Sequence, residues 1–213
     1  MLNIITIPTT PFAQNTRILF DDSNNEAIAC DVGGDAAFIY QALNKRNLKL
    51  KGILLTHGHL DHVGGVAEIA KLTGAPILGP DSEDDFLITT LDRQAQLFGL
   101  SSSGNFVPQY VKENEIIDLL PQYPFKVLHT PGHTPGGVCY YCEKAGVLLA
   151  GDTLFAGSVG RCDFPRGNME DLITAIKEKI LTLPPKTKVL PGHGPDTTVG
   201  IEKDENPYLN GFY

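Results

Sequence analysis

Short apolar runs come first along the chain: "LNIITI", "TRILF" and "EAIAC" fall within the first 30 positions, separated by clusters of Pro, Asn and Asp. Runs of this kind bounded by turn formers predict adjacent antiparallel strands. From Asp35 the period changes. Ala36, Ile39, Tyr40 and Leu43 recur at helical spacing behind an aspartate placed to cap the first turn, which predicts a helix over "DAAFIYQALNKRNL". "KGILLT" then predicts a buried strand, "VGGVAEIAKLTG" a helix ending near Gly74, "APILG" a strand and "SEDDFLITTLDRQAQLFG" a helix. The second half repeats this texture loosely, with strands at "EIIDLL", "FKVLHT", "GVCYY" and "GVLLAG", a helix at "MEDLITAIKEKIL" and a strand at "TKVLPG". Two β-then-α halves without a low-complexity linker predict one α/β domain, residues 1–213, built as two sheets face to face with helices outside, a four-layer αββα sandwich.

Composition narrows the partners. A chain of 213 residues with 42% hydrophobic content can bury a substantial core. Its 17 basic against 25 acidic residues give a net charge of −8, and the longest block of like charge is the short "DSEDD" at 81–85. This excludes the basic footprint that nucleic acid or an anionic membrane needs, while leaving room for a small anionic substrate held by one or two cations. The first residues show no charged segment ahead of an apolar stretch, and no window approaches the length of a membrane span, so a cytoplasmic protein is expected. The four cysteines, Cys30, Cys139, Cys142 and Cys162, are then expected to be free thiols. Cys139 and Cys142 form a CxxC, but residues three apart on a strand point to opposite faces, which predicts a structural role.

The chemistry lies where strands end. "THGHLDHVGG" puts three of the six histidines, His57, His59 and His62, beside Asp61. "KVLHTPG" leads to His133, "GVLLAG" to Asp152 and "KVLPG" to His193, while His129 lies within its strand. Loops beyond strand ends are where a rigid scaffold positions reactive groups. Asp152 follows an apolar run and so risks burial, which is costly for an unpaired carboxylate; a turn or helix cap is the alternative role, and a metal ion the one its neighbours favour. A catalytic zinc takes three protein ligands and leaves one position for water. Seven candidate ligands therefore suit two metals that share a carboxylate. Imidazole and carboxylate without thiolate accommodate zinc, and also iron or manganese. Two such ions hold a hydroxide and polarise a carbonyl or phosphoryl oxygen, the equipment of a hydrolase.

HxHxDH at 57–62, a histidine in "PGHTPG", an aspartate in "GDTLF" and a last histidine in "PGHGP" together resemble the metallo-β-lactamase superfamily, and within it the glyoxalase II group. The resemblance runs from about residue 3 to residue 207 and implies the αββα fold. It implies that His57, His59 and His133 bind one metal, that Asp61, His62 and His193 bind the other, and that Asp152 bridges them, with Asp61 and Asp152 the acidic residues nearest the chemistry. Asp31, in "CDVGGD", matches an early aspartate of the family that supports the metal loop; a turn or capping role is the alternative. The histidine at 62 and the absence of a cysteine near Asp152 set the chain apart from the β-lactamases proper.

The implied substrate is a small acyl-thiol such as S-D-lactoylglutathione, cleaved at its thioester. Glyoxalase II enzymes carry a C-terminal helical domain that supplies much of the glutathione site, and this sequence stops at Tyr213, so the expectation is the short, single-domain type. That type shares "GRxDFPRG", here 160–167, in which Arg161 stands where the family has a basic residue facing glutathione. Arg161 either pairs with a substrate carboxylate or is tied structurally to Asp163. Persulfide dioxygenases offer the competing resemblance: the same sandwich and one iron at the positions of His57, His133 and Asp152. Nothing in the sequence fixes the oligomeric state.

Overall fold

The computed structural model describes residues 1–211. The first sheet holds five strands in the order β1 (Leu2–Thr9), β2 (Gln14–Asp21), β3 (Glu26–Cys30), β4 (Lys49–Leu54) and β5 (Ile77–Leu78). Its first three strands are antiparallel, as their short separations require, whereas β3, β4 and β5 run parallel. Parallel neighbours need a crossover. Helix α1 (Ala36–Lys45) supplies the first, and α2 (Leu60–Val63) with α3 (Val66–Thr73) the second. After α4 (Asp85–Ile88) and α5 (Leu91–Phe98), the second sheet draws on β6 (Ile116–Ile117), β7 (Phe125–His129), β8 (Val138–Cys142) and β9 (Val147–Gly151). A small hairpin of β10 (Leu154–Phe155) and β11 (Ser158–Val159) follows, then α6 (Met169–Ala175), β12 (Lys188–Pro191), β13 (Thr197–Thr198) and α7 (Val199–Glu205). The strand order in this sheet is β13-β12-β9-β8-β7-β6, with β12 parallel to β9 across α6.

Strand periodicity sorts the side chains into three apolar layers. Leu19, Ile28 and Leu54 of the first sheet meet Val127, Tyr140 and Leu149 of the second in a shared core. Their neighbours Ile18, Ala29 and Ile53 point the other way, onto Ile39, Leu43, Val66 and Ile69 of the helices. On the far side Leu148, Ala150 and Val189 pack with Leu172 and Ile176. The four-layer αββα sandwich read from the sequence is the one found. Cys139 and Cys142 do lie on opposite faces of β8, one toward the helices and one between the sheets, and all four cysteines are free thiols.

The two sheets are joined at one edge, the edge where the ligand loops lie. Val138 N–H donates to Thr56 O at 2.8 Å, Asn15 N–H to Gly192 O at 2.7 Å, and Tyr140 Oη–H to Leu55 O at 2.7 Å. Gly192 N–H also donates to Gly151 O at 2.8 Å, which holds the loop leaving β12 against the end of β9.

Several predicted helices divide. The segment from Val63 gives α2 and α3 because Gly64 and Gly65 pass too close to Gly33 and Gly34 for a continuous helix to bear side chains there. The segment from Ser82 begins as a 3-10 turn at Ser82–Asp84 and breaks between α4 and α5, where Thr89 and Thr90 hydroxyls bond back to Asp85 O and Phe86 O. The last predicted helix ends in a π turn at Ile176–Ile180. Asp35 does precede α1, but in a left-handed conformation and without a side-chain capping bond. Gly74 ends α3 in the left-handed conformation, as expected.

Candidate metal centre

The strand ends converge on one cleft floor. His57 follows β4, His59 and His62 flank the start of α2, His133 follows β7, Asp152 follows β9 and His193 follows β12. Ring nitrogens of His57, His59 and His133 lie within 4.8 Å of one another, and so do ligand atoms of Asp61, His62 and His193. Asp152 stands between the groups: Oδ1 is 3.3 Å from His62 Nε2, and Oδ2 is 3.7 Å from both His133 Nε2 and His193 Nε2. A third cluster of suitable atoms, Asp31 with His57 and His62, is also present. The Asp31 carboxylate is already engaged: Oδ1 accepts from Thr56 N–H at 2.8 Å, and Oδ2 from the Thr56 hydroxyl at 2.6 Å and from His62 Nδ1 at 3.0 Å. The Asp31 backbone is left-handed, φ 54°.

The outer hydrogen bonds fix which nitrogen of each ring faces inward. His62 Nδ1 donates to Asp31, His133 Nδ1 to Arg161 O at 2.6 Å, and His193 Nδ1 to Phe12 O at 3.1 Å. The Thr56 hydroxyl gives its proton to Asp31, so it accepts from His57 Nδ1 at 3.1 Å. In its neutral form each of these rings turns an unprotonated Nε2 toward the cleft floor. Among the described residues, His57 Nε2 and Asp152 Oδ1 are buried without any hydrogen-bond partner. A buried acceptor left in that state costs about 1–3 kcal/mol, more when charged, so these atoms call for a cation.

The electrostatics agree. Burial, with His62 and His59 beside it, drives the His57 pKa well below the imidazole range, and burial with His133 takes His59 down to about 3, so both rings offer lone pairs at neutral pH. Burial opposes charge on Asp152 and Asp61, yet the surrounding imidazoles outweigh it and hold both carboxyls below their ordinary pKa. At His62 burial is likewise outweighed, by Asp152 and Asp61, and the pKa rises well above its ordinary value. The floor as a whole favours added positive charge. Nitrogen and carboxylate donors in two groups with a carboxylate between them fit two divalent ions.

Gly192 shows how closely the loops meet. A Cβ there would overlap Asp152 Oδ1 and the His62 ring, so any side chain before His193 would displace both groups.

Above the floor is a cleft of about 400 Å³, whose walls are Phe12, Phe98, Leu100, Phe155 and Phe164. Arg161 stands at its rim. Its guanidinium makes two hydrogen bonds to Asp163, at 3.0 and 2.8 Å, and lies 4.8 Å from the Phe164 ring centre. Both members of the pair are about two-thirds exposed, 69% and 66%. The structural tie to Asp163 is therefore present, and the same arginine also borders the cleft.

The sequence reading missed the residues that brace these loops. Asn15 Nδ2 donates to Pro191 O at 3.2 Å and Gly194 O at 2.9 Å, and Arg17 donates to Pro191 O at 3.0 Å while pairing with Asp196 at 2.8 Å. Asp84 and Gln94 bond the loops of His57–His59 and His133. The aromatic walls were missed as well. "PFAQN" at 11–15 is the visible trace of one brace, a polar pair ending an otherwise apolar hairpin turn.

Fold and site together define a metallohydrolase class: the chain belongs to the metallo-β-lactamase superfamily, whose model matches residues 11–193. Among particular relatives, it is 44% identical over 211 residues to hydroxyacylglutathione hydrolase GloC of Haemophilus influenzae, an alignment covering 98% of this chain and 99% of that protein. The crystal structure of BLEG-1 B3 metallo-β-lactamase superposes with a TM-score of 0.89 at 36% identity, covering 98% of this chain and all (100%) of the other. That of TTHA1623 in a di-iron-bound form gives 0.87 at 33%, covering 96% and 100%. Among the described residues no helix is long and apolar enough to cross a membrane.

Proposed function

We propose that the protein is a dinuclear metallohydrolase that cleaves a small acyl-thioester of the S-D-lactoylglutathione kind. The carrying observation is the pair of three-ligand groups, His57 with His59 and His133 and Asp61 with His62 and His193, sharing Asp152 at the floor of one cleft. A relative named hydroxyacylglutathione hydrolase, matching nearly end to end, supports the thioester. Zinc, iron and manganese all suit the donors, and one similar protein has been crystallised with two irons.

The two groups would hold two divalent ions, which would supply a hydroxide at neutral pH and an electrophile for the thioester carbonyl. The remaining work belongs to the chain. Asp152 stays ionised and holds its two oxygens toward both groups. Phe12, Phe98, Leu100 and Phe155 exclude water from the cleft and orient the apolar part of the acyl-thiol. Arg161 turns from Asp163 to a carboxylate of the thiol carrier; an exposed ion pair is worth only about 0–1 kcal/mol, so the exchange is easy. We place the protein in the cytoplasm, where its four free cysteines stay reduced and the acyl-thiol is a soluble metabolite.

The test is a paired assay on protein of known metal content: thioester loss from S-D-lactoylglutathione, and oxygen uptake with glutathione persulfide. Thioester cleavage with two metals per chain is the expected result. Oxygen uptake that tracks a single iron would overturn the proposal, and would leave Asp61, His62 and His193 without a task.

A further inference from the structure

We infer that Asp84 and Gln94, buried on the helical segment between the two sheets, are positioning residues that set the geometry of the first ligand group, His57, His59 and His133, and leave the second group to other supports. Asp84 is fully buried, 0% exposed, in a run of acidic residues whose other members face solvent or lie part-buried. Its Oδ2 accepts from Gly58 N–H at 2.9 Å and from the Thr134 hydroxyl at 2.8 Å, and its Oδ1 from Gly136 N–H at 2.7 Å. One carboxylate thus ties together the two loops that carry this group, since Gly58 separates His57 from His59 and Thr134 follows His133.

Gln94 takes the other side of the same residue. Its Nε2 donates to Gly58 O at 3.3 Å and Leu87 O at 2.9 Å, and its Oε1 accepts from Leu60 N–H at 3.0 Å. Gly58 is therefore gripped at its N–H by one residue and at its C=O by another. A Cβ at Gly58 would come within 2.7 Å of Leu87 Cβ, so the helical segment is seated directly on the ligand loop. The two grips hold the peptide units on either side of Gly58, His57–Gly58 and Gly58–His59, and so oppose rotation about the backbone bonds that set His57 relative to His59.

The second group is braced from elsewhere. His193 lies in a loop held by Asn15 and Arg17, and its own Nδ1 donates to Phe12 O. The side-chain bonds of Asp84 reach only the loops of the first group and those of Asn15 only the loop of His193, which predicts separable effects on the two metal sites. The inference rests on the two-group reading of the floor and is independent of the substrate.

Outer hydrogen bonds of this kind are typically worth about 10- to 100-fold in metal affinity. The experiment is stepwise zinc binding to the purified metal-free protein, in competition with a chromophoric chelator and without substrate. Asp84→Asn keeps the shape and replaces one acceptor oxygen by a donor; Gln94→Met fills the same space and makes none of the bonds. Each is expected to weaken one of the two zinc equivalents by about 10- to 100-fold and to leave the other unchanged, whereas Asn15→Ala weakens the opposite equivalent. If both equivalents in both variants keep the wild-type affinity while only the melting temperature falls, or if both weaken equally, the inference is overturned. Should Asp84→Asn not fold, Gln94→Met alone decides. Because no turnover is read, failure here is distinct from failure of the thioesterase assignment.

Discussion

The Nε2 atoms of His62 and His193 stand 3.3 Å apart, and each ring gives its Nδ1 proton to another acceptor, Asp31 in one case and Phe12 O in the other. In their neutral forms the two rings present lone pairs to each other, an arrangement that holds only with a proton or a metal ion between them. Asp61 Oδ2, 3.2 Å from His193 Nε2, completes the group.

Asp152 is the carboxylate common to both groups, so Asp152→Ala is expected to lower metal content and turnover together. The fall in kcat should be at least about a hundredfold, the scale on which loss of a single transition-state contact is felt. Metal analysis and thioester kinetics on the same preparation check it; full activity with full metal content would remove Asp152 from the site.

Arg161 is expected to act on binding alone. Arg161→Ala should raise KM for an anionic acyl-thiol with kcat nearly unchanged, and the melting temperature should scarcely move because the pair with Asp163 is exposed. Asp163→Asn frees the guanidinium and should lower KM. Unchanged KM in both variants assigns Arg161 to the loop and not to the substrate.

Gly192→Ala places a methyl group on Asp152 Oδ1 and the His62 ring. The expected outcome is a folded protein, by circular dichroism, that has lost most of its metal and its activity.

Acidification should act through His59. Its pKa is about 3 in the fold against an ordinary 6.5, because burial and His133 oppose its charge. Between those values the unfolded chain binds a proton that the folded one refuses, so this group's contribution is intact above about pH 6.5 and is lost as pH falls toward 3, at up to about 1.4 kcal/mol per pH unit. Metal-free wild type should therefore lose more stability than metal-free His59→Gln between pH 7 and pH 4. Parallel denaturation curves for the two would contradict it.

What the sequence discloses here depends on distance along the chain. His57, His59, Asp61 and His62 are legible because a metal loop packs its ligands within a few residues, and His133, Asp152 and His193 because each follows an apolar strand. The two sheets are legible through the same strands. Asp84 is hidden because its partners lie 26 to 52 residues away and because "DSEDD" reads as charge, with nothing local to mark the one buried member. Gln94 sits in a helix whose periodicity speaks only of its apolar face. The two-residue strands β10, β11 and β13 and the helix α7 carry too few positions to establish a period. Glu202, buried in α7, accepts from Thr197, Gly157 and Asn206, a tertiary reason for that helix which no window of sequence contains.

His193 and the Phe12 carbonyl that orients it are 181 positions apart. During synthesis the early histidine loop, His133 and Asp152 all leave the ribosome before His193 does. The group of His57, His59 and His133 is therefore complete in the chain before the other has its last member, His193. The last ligand of the second group is thus the one that ties the end of the chain to its beginning.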